Sequence, residues 1–229
     1  MGSFRLLNFA DDHGAARPGI LVGGNTVVDL QHALPAAWTA STLHVLSAWD
    51  VALPALHALA DKPQSATRPV DDVRLLAPLL YPPAIYCTGA NYMDHAEEMS
   101  PEKKGVDKAT TQPYLFLKSA PHCVIGPGYA IKLPNVSAQV DWEGEFAVVI
   151  GQRARNVKVA DAMKYVAGYT IMNDVSARNL NRRADWPQTI ERTLKKSPVR
   201  EHGQATRSCR FVFLGDTHRI EVHANHSRG

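Results

Sequence analysis

The chain has 229 residues, of which 45% are hydrophobic, and a formal net charge of +3, so it can bury the core of one large or two small domains. Its basic residues are scattered, and the late basic cluster from Arg192 to Arg210 has no interleaved aromatic residues, which argues against nucleic acid binding. Neither an apolar run of roughly 20 residues nor a basic segment leading into an apolar one is present, so we expect neither a membrane nor a secreted protein.

The cysteines point in the same direction. Cys87, Cys123 and Cys209 are widely spaced and follow neither a zinc-finger nor a C-x-x-C pattern. A disulfide framework and a structural zinc site are therefore not predicted. We expect a reducing compartment and a cytoplasmic location.

The first part of the chain, residues 1–69, is predicted to be a small α+β domain that ends in a linker. The polar linker runs from Lys62 to Pro69 and has prolines near both ends. The strands and helices before it are predicted from hydrophobic periodicity and turn residues. They are strands Phe4–Phe9 and Ile20–Leu30, the latter with a turn at Gly23-Gly24, and helices Ser41–Ala48 and Leu53–Ala60.

Residues 70–190 are predicted to form a β-rich main domain, and residues 191–229 a divergent or truncated segment. The predicted strands are Ile85–Thr88, Tyr114–Lys118, Tyr129–Leu133, Trp142–Ile150 and Tyr169–Asn173, and the predicted helices are Asn91–Met99 and Val159–Val166. Ser100 to Pro113 is polar and lacks periodicity. This segment is either a lid over a site or an ordinary surface insertion.

Two glutamates interrupt the apolar run that starts at Asp141. On a strand, Glu143 and Glu145 project from the same face because side chains alternate between faces. Neighbouring carboxylates in a mostly buried strand are costly unless a proton or a cation compensates them. The pattern therefore indicates either a metal site or an edge strand with both glutamates in water.

His95 and Glu98 are three residues apart on the predicted helix and would meet on one face. A carboxylate beside an imidazole stabilises the imidazolium, so the pair could take a proton from water near neutral pH. The same spacing also occurs in ordinary surface contacts. The sequence leaves both readings open.

Asp174 follows an apolar strand and is a candidate third carboxylate, although it could also cap a following helix. Three carboxylates favour a hard cation such as Mg²⁺, Mn²⁺ or Ca²⁺ over zinc. Lys118 closes another apolar strand and could meet a substrate carboxylate, but the sequence alone favours a side chain that reaches solvent. Serine hydrolase, P-loop and dinucleotide-binding motifs are not found.

Five motifs in this order resemble the fumarylacetoacetate hydrolase family, in its small bacterial-type members, over roughly Ile85 to Trp186. Their central residues are His95, Lys118, Gly126, Glu143 and Asp174. The motifs are Gly89-Ala90-Asn91-Tyr92-Met93-Asp94-His95-Ala96-Glu97-Glu98, Phe116-Leu117-Lys118, Val124-Ile125-Gly126-Pro127-Gly128, Asp141-Trp142-Glu143-Gly144-Glu145-Phe146-Ala147-Val148-Val149-Ile150-Gly151, and Gly168-Tyr169-Thr170-Ile171-Met172-Asn173-Asp174-Val175-Ser176-Ala177-Arg178.

The resemblance implies an α+β fold, a mixed β-sandwich roll with a small amino-terminal domain, that forms a homodimer if the fold is complete. It implies that Mg²⁺, Mn²⁺ or Ca²⁺ is held by three carboxylates and that a lid helix activates water. It further implies a hydrolase that cleaves a C–C bond in small oxo or β-diketo acids. Decarboxylase, hydratase and isomerase chemistry through the same enolate is the alternative. The implied metal ligands are Glu143, Glu145 and Asp174, and the candidate catalytic residues are His95, Glu98, Lys118 and Lys196.

The resemblance ends at about Trp186. Lys196-Ser197 is the possible remnant of a family lysine segment, and the sequence that follows it reads as unrelated and basic until Leu214. A disrupted or truncated reading frame is our hypothesis for this departure. It adds a second possibility, a non-catalytic remnant, to the enzyme reading.

Overall fold

The computed structural model describes residues 2–63, 66–89, 91–99, 107, 110, 114–181 and 209–211. The α+β fold predicted from the resemblance is confirmed, because the chain combines short helices with antiparallel and mixed sheets. None of the helices in these ranges is long and apolar enough to cross a membrane.

The first sheet has five strands in the order β4-β3-β2-β1-β5. Gly23 and Gly24 adopt positive φ angles of 59° and 81° in the turn between β2 and β3, a conformation that glycine adopts without strain. The strands are β1 (Arg5–Ala10), β2 (Ala16–Val22), β3 (Thr26–Asp29), β4 (Thr67–Pro69) and β5 (Arg74–Leu76).

Three helices cover this sheet: α1 (Leu30–Ala33), α2 (Thr42–Ser47) and α3 (Trp49–Asp61). Two of them start at side-chain caps, since Asp29 accepts from the Gln31 N–H and Ser41 accepts from the His44 N–H. Their apolar residues pack with the sheet into the largest buried cluster, which also takes in Val149 from the main part of the chain. The amino-terminal part therefore packs against the strand that carries Glu145.

The main part contains a four-stranded sheet and two ladders of two strands. The sheet has the order β10-β11-β13-β8, and it is mixed because β13 pairs parallel with β8 while its other pairs are antiparallel. Its strands are β8 (Val124–Ile125), β10 (Gly144–Ile150), β11 (Val166–Asp174) and β13 (Cys209–Phe211). The ladders pair β6 (Ile85–Gly89) with β7 (Tyr114–Lys118), and β9 (Val140–Asp141) with β12 (Ser176–Ala177).

The helical segments of this part are short. They are α4 (Met93–Met99), α5 (Ala120–Cys123), α6 (Arg178–Asn181) and 3-10 helices at Val70–Asp72 and Val159–Tyr165. Helix α4 matches its prediction apart from a start two residues later. The short helix predicted at Val159–Val166 is present as a 3-10 helix that ends one residue earlier, and its Val159 and Met163 side chains are exposed.

Two of the predictions about strands and the linker are wrong. Residues 129–133 form no strand, because Tyr129 and Leu133 lie exposed and no neighbouring strand pairs with them in the part that the structure describes. The end of the predicted linker is strand β4, whose Thr67 pairs with Val28. The predicted boundary after residue 69 stays a prediction, although β5 joins the first sheet from beyond it.

Candidate active site

Glu145 lies in β10, the outer strand of the four-stranded sheet in the described part of the chain, and Glu143 immediately precedes this strand. Both side chains are partly covered, and the Glu143 side chain is 20% exposed, while the intervening Gly144 faces outward. The alternative of an edge strand with both glutamates in water is only partly right, because among the described residues the strand lies at an edge but both glutamates are partly covered, and the metal site stays a prediction. As predicted, Glu143 and Glu145 share a face.

Asp174 lies beside Glu143 because the ladder between β10 and β11 continues past the first residue of β10. The Asp174 N–H donates to the Glu143 carbonyl at 2.7 Å, and the Glu143 N–H donates to Asn173 Oδ1 at 3.0 Å. The side chain of Asp174 is 4% exposed. Helix α6 begins only at Arg178, after β12, so the alternative that Asp174 caps a helix is wrong.

Lys118 is buried, and the expectation that it reaches solvent is wrong. Its side chain is 0% exposed, and its ammonium group forms an ion pair with Asp174 Oδ1 and donates to the Val175 carbonyl at 3.2 Å. An isolated ammonium in this position would be strongly disfavoured, and the neighbouring carboxylate compensates its charge. The ion pair joins β7 to the end of β11.

Arg178 forms a second cationic contact at the site. Its Nη2 lies 3.1 Å from Glu143 Oε2, and its Nε donates to Asp141 Oδ2 at 2.9 Å. Its backbone N–H donates to the Gln139 carbonyl at 2.8 Å, which fixes the start of α6 against the strand β9 region. Arg178 therefore connects two acidic residues of the Asp141 motif.

Helix α4 brings His95 over the same strand. The His95 Nε2 atom lies 3.7 Å from Glu143 Oε2, and the imidazole is 28% exposed. A protonated His95 would form an ion pair with this carboxylate. Glu98 lies in the same helix, but its side chain is outside the described residues, so the predicted His95/Glu98 pair stays a prediction.

The pKa of Glu145 is raised above its ordinary value. Burial is the main cause, and the charge of Glu143 raises the pKa further, while a hydrogen bond from Asn91, at 3.2 Å, lowers it together with the charges of His95 and Lys118. Burial and the neighbouring Glu143 carboxylate thus disfavour the ionised form of Glu145. A bound cation would remove this penalty.

The chemistry of the predicted ligands fits a hard cation. All three side chains offer carboxylate oxygens, and the charge of Glu143 raises the pKa of its neighbour Glu145. In this structure, however, no three His, Cys, Asp or Glu side chains among the described residues are gathered closely enough to hold a metal. Each carboxylate instead contacts a different group of the chain: Arg178, Asn91 or Lys118.

The structure also shows which residues the sequence reasoning missed. Arg178, Asn91 and Tyr92 were part of the recognised motifs but had no role assigned to them. Each contacts a residue more than 30 positions away, and no local pattern signals such a contact. Lys196, a candidate catalytic residue, lies outside the described residues and is not tested.

A family model described as Fumarylacetoacetate (FAA) hydrolase C-terminal matches residues 84–198 of the chain. A similar curated protein is Oxaloacetate tautomerase fahd2, mitochondrial, of Xenopus laevis, with 36% identity over 180 residues. The match covers 77% of this chain and 53% of the frog protein. The chain thus spans about half the length of this curated relative.

Two solved structures support the fold. The fumarylacetoacetate hydrolase of Exiguobacterium antarcticum is 31% identical, with a TM-score of 0.58 over 78% of this chain and 58% of that one. The maleylpyruvate hydrolase of Sphingobium sp. SYK-6, solved with manganese(II) and pyruvate, is 22% identical, with a TM-score of 0.64 over 95% of this chain and 69% of that one. At 22% identity, the similarity to the maleylpyruvate hydrolase supports a shared fold alone.

Proposed function

Because the chain belongs to the fumarylacetoacetate hydrolase family, we propose that it is a divalent-metal-dependent enzyme acting on small oxo or β-diketo acids. The observation that carries the proposal is the position of His95 Nε2, 3.7 Å from Glu143 Oε2 and on the same strand face as Glu145. A base and a pair of carboxylates converge there. Such a group of titratable residues, one with a raised pKa, is typical of a catalytic site.

In this proposal Glu143, Glu145 and Asp174 hold Mg²⁺, Mn²⁺ or Ca²⁺. When bound, such a cation polarises a carbonyl oxygen and stabilises the negative charge of an enolate. The manganese(II) and pyruvate in the maleylpyruvate hydrolase structure are consistent with this choice of ligand classes. Each carboxylate has two oxygens, so one oxygen can bind the cation while the other keeps its present contact. These contacts are with Arg178, Asn91 and Lys118.

The residues of the chain have separate roles in the proposed reaction. His95 Nε2 accepts a proton from a water molecule, and Glu143 at 3.7 Å stabilises the imidazolium that results. Glu98 is proposed to orient the imidazole. Lys118 holds Asp174 in place from inside the protein, and Lys196 remains a candidate for contact with the substrate.

The hydrolytic reaction proposed first is cleavage of a C–C bond in a β-diketo acid. Water activated by His95 adds to a keto carbonyl, the adjacent C–C bond breaks, and the leaving carbon takes its electron pair as an enolate that is then protonated. The second candidate is tautomerisation of an oxo acid through the same enolate. The frog relative, named an oxaloacetate tautomerase, favours this second reaction.

Substitution of His95 tests the proposed base. We expect His95→Ala to lower turnover by about 100-fold or more, because it removes the base that lies next to Glu143, and to leave the Mn²⁺ dissociation constant unchanged. The measurements are absorbance assays with Mn²⁺, a 2,4-dioxo acid for cleavage and oxaloacetate for keto–enol exchange, and calorimetry for metal binding. The exposed His122→Ala is the control.

Two outcomes would contradict the proposal. Equal loss of metal binding in His95→Ala would place His95 among the ligands instead. A folded parent chain that neither binds Mg²⁺ or Mn²⁺ nor turns over either substrate would favour the non-catalytic remnant.

Assembly and location are also part of the proposal. We propose a homodimer, as the family resemblance implies, and a reducing, cytoplasmic setting. Light scattering on the purified chain is expected to give twice its mass of 25.1 kDa. A monomeric mass at micromolar concentration would contradict the dimer.

A further inference from the structure

The two residues just before α4, Asn91 and Tyr92, contact the outer strand β10 through their side chains. Asn91 Nδ2 donates to Glu145 Oε2 at 3.2 Å, and the Tyr92 hydroxyl accepts from the Phe146 N–H at 3.1 Å. These consecutive residues thus bind consecutive positions of the strand. His95, one turn along the helix, lies near Glu143.

The Tyr92 contact satisfies a backbone donor that the sheet leaves unused. Strand β10 pairs with β11 along one side, and the Phe146 N–H donates to Tyr92 on its other side. A backbone donor at the edge of a sheet otherwise binds water, and here the Tyr92 hydroxyl takes the place of that water. The hydroxyl of Tyr92 therefore attaches α4 to the strand at a defined place.

The first turn of α4 links the position of Tyr92 to that of His95. The Ala96 N–H donates to the Tyr92 carbonyl at 3.0 Å, which closes the first turn of α4 around His95. Ala96, the next residue after His95, is buried at 6% exposure and packs this side of the helix against the protein. A displacement of Tyr92 would move the imidazole relative to Glu143.

We propose that Asn91 and Tyr92 are positioning residues that clamp α4 onto β10. Tyr92 sets the distance between His95 and the carboxylates, and Asn91 orients Glu145 for the cation. The inference rests on the roles proposed above for His95 and Glu145. The two residues contact different partners, so their effects are separate. Tyr92, which contacts the Phe146 N–H, affects the catalytic step, and Asn91, which contacts Glu145, affects metal affinity.

Tyr92→Phe in the full chain tests the first effect. It keeps the ring and removes the acceptor, so we expect a kcat about 10-fold lower, with KM and the Mn²⁺ dissociation constant within twofold of the parent. Exchange of the Phe146 amide proton, followed by NMR, should become faster. The exposed Tyr86→Phe removes a hydroxyl from another strand and should change none of these values.

Asn91→Ala tests the second effect. Loss of a hydrogen bond to a ligating carboxylate typically weakens metal binding 10- to 100-fold, and we expect about 10-fold for Mn²⁺. The exposed Asn135→Ala is the matched control. A purely structural role would lower the melting temperature of Asn91→Ala without a specific loss of metal affinity.

The outcomes separate this inference from the proposed function. An unchanged kcat in Tyr92→Phe, or a parallel loss of kcat and metal affinity, would overturn the role of Tyr92. An unchanged dissociation constant in Asn91→Ala would overturn the role of Asn91. If the parent binds Mn²⁺ but turns over neither substrate, the proposed reaction is wrong. The clamp is then tested by the Phe146 amide exchange in Tyr92→Phe and by the Mn²⁺ affinity of Asn91→Ala.

Discussion

Replacement of Glu145 by glutamine is expected to abolish Mn²⁺ binding and, at the same time, to raise the melting temperature of the metal-free chain by about 1 to 3 °C. Both effects have one cause. Burial and the charge of Glu143 disfavour the ionised Glu145 carboxyl and raise its pKa from the ordinary value of 4.5. The ionised Glu145 carboxyl, which a cation would bind, therefore destabilises the folded chain when no cation is bound.

The dependence on pH has a defined sign. Because the folded chain binds the Glu145 proton more tightly than the unfolded chain, the stabilisation from this proton is complete below pH 4.5 and is lost as pH rises through the raised pKa. Glu145→Gln has no ionisable carboxyl at this position, so it does not lose this stabilisation as pH rises. The gain in melting temperature of Glu145→Gln over the parent should be larger at pH 7 than at pH 4.

Calorimetry with Mn²⁺ and thermal unfolding without metal measure the two effects. Glu97→Gln makes the same chemical change on the exposed side of α4 and is the control. Parent-like Mn²⁺ binding by Glu145→Gln would remove Glu145 from the ligands. A lower melting temperature would show that its contact with Asn91 outweighs the cost of its charge.

Substitution of Lys118 by methionine is expected to lower the free energy of unfolding by about 3 to 5 kcal/mol. The Lys118 and Asp174 side chains are 0% and 4% exposed, so methionine would leave Asp174 as an uncompensated buried carboxylate. Urea unfolding of the full chain measures the loss. Lys164→Met is the matched control, because Lys164 also pairs with an aspartate but is 74% exposed, and its loss should stay below about 1 kcal/mol.

Two further measurements test whether the loss comes from the charge of Asp174. The double variant Lys118→Met with Asp174→Asn should be more stable than the sum of the single losses predicts, since no charge remains buried. Mn²⁺ should raise the melting temperature of Lys118→Met by more than that of the parent, because it supplies the missing positive charge. A loss below about 1 kcal/mol in Lys118→Met would contradict the ion pair as a stabilising contact.

Much of the local structure was predictable. Short apolar runs bounded by turn residues predicted β1, β6, β7 and the strand that carries Glu145, and the glycines at 23 and 24 predicted the first hairpin turn. The prediction failed at Tyr129–Leu133, where residues with strand propensity have no partner strand in the described part of the chain. Strand propensity acts only where a neighbouring strand can pair, and the sequence does not state the order of strands in a sheet.

By itself, the sequence determined that Glu143 and Glu145 share a face, since side chains alternate along a strand, and which family the ordered motifs resemble. The tertiary structure alone decided what surrounds them. The sequence shows that Lys118 ends an apolar strand. Only the packing of β7 against the end of β11 places its ammonium group beside Asp174 and out of the solvent. Contacts between residues more than 50 positions apart depend on sheet order and packing, which local periodicity does not encode.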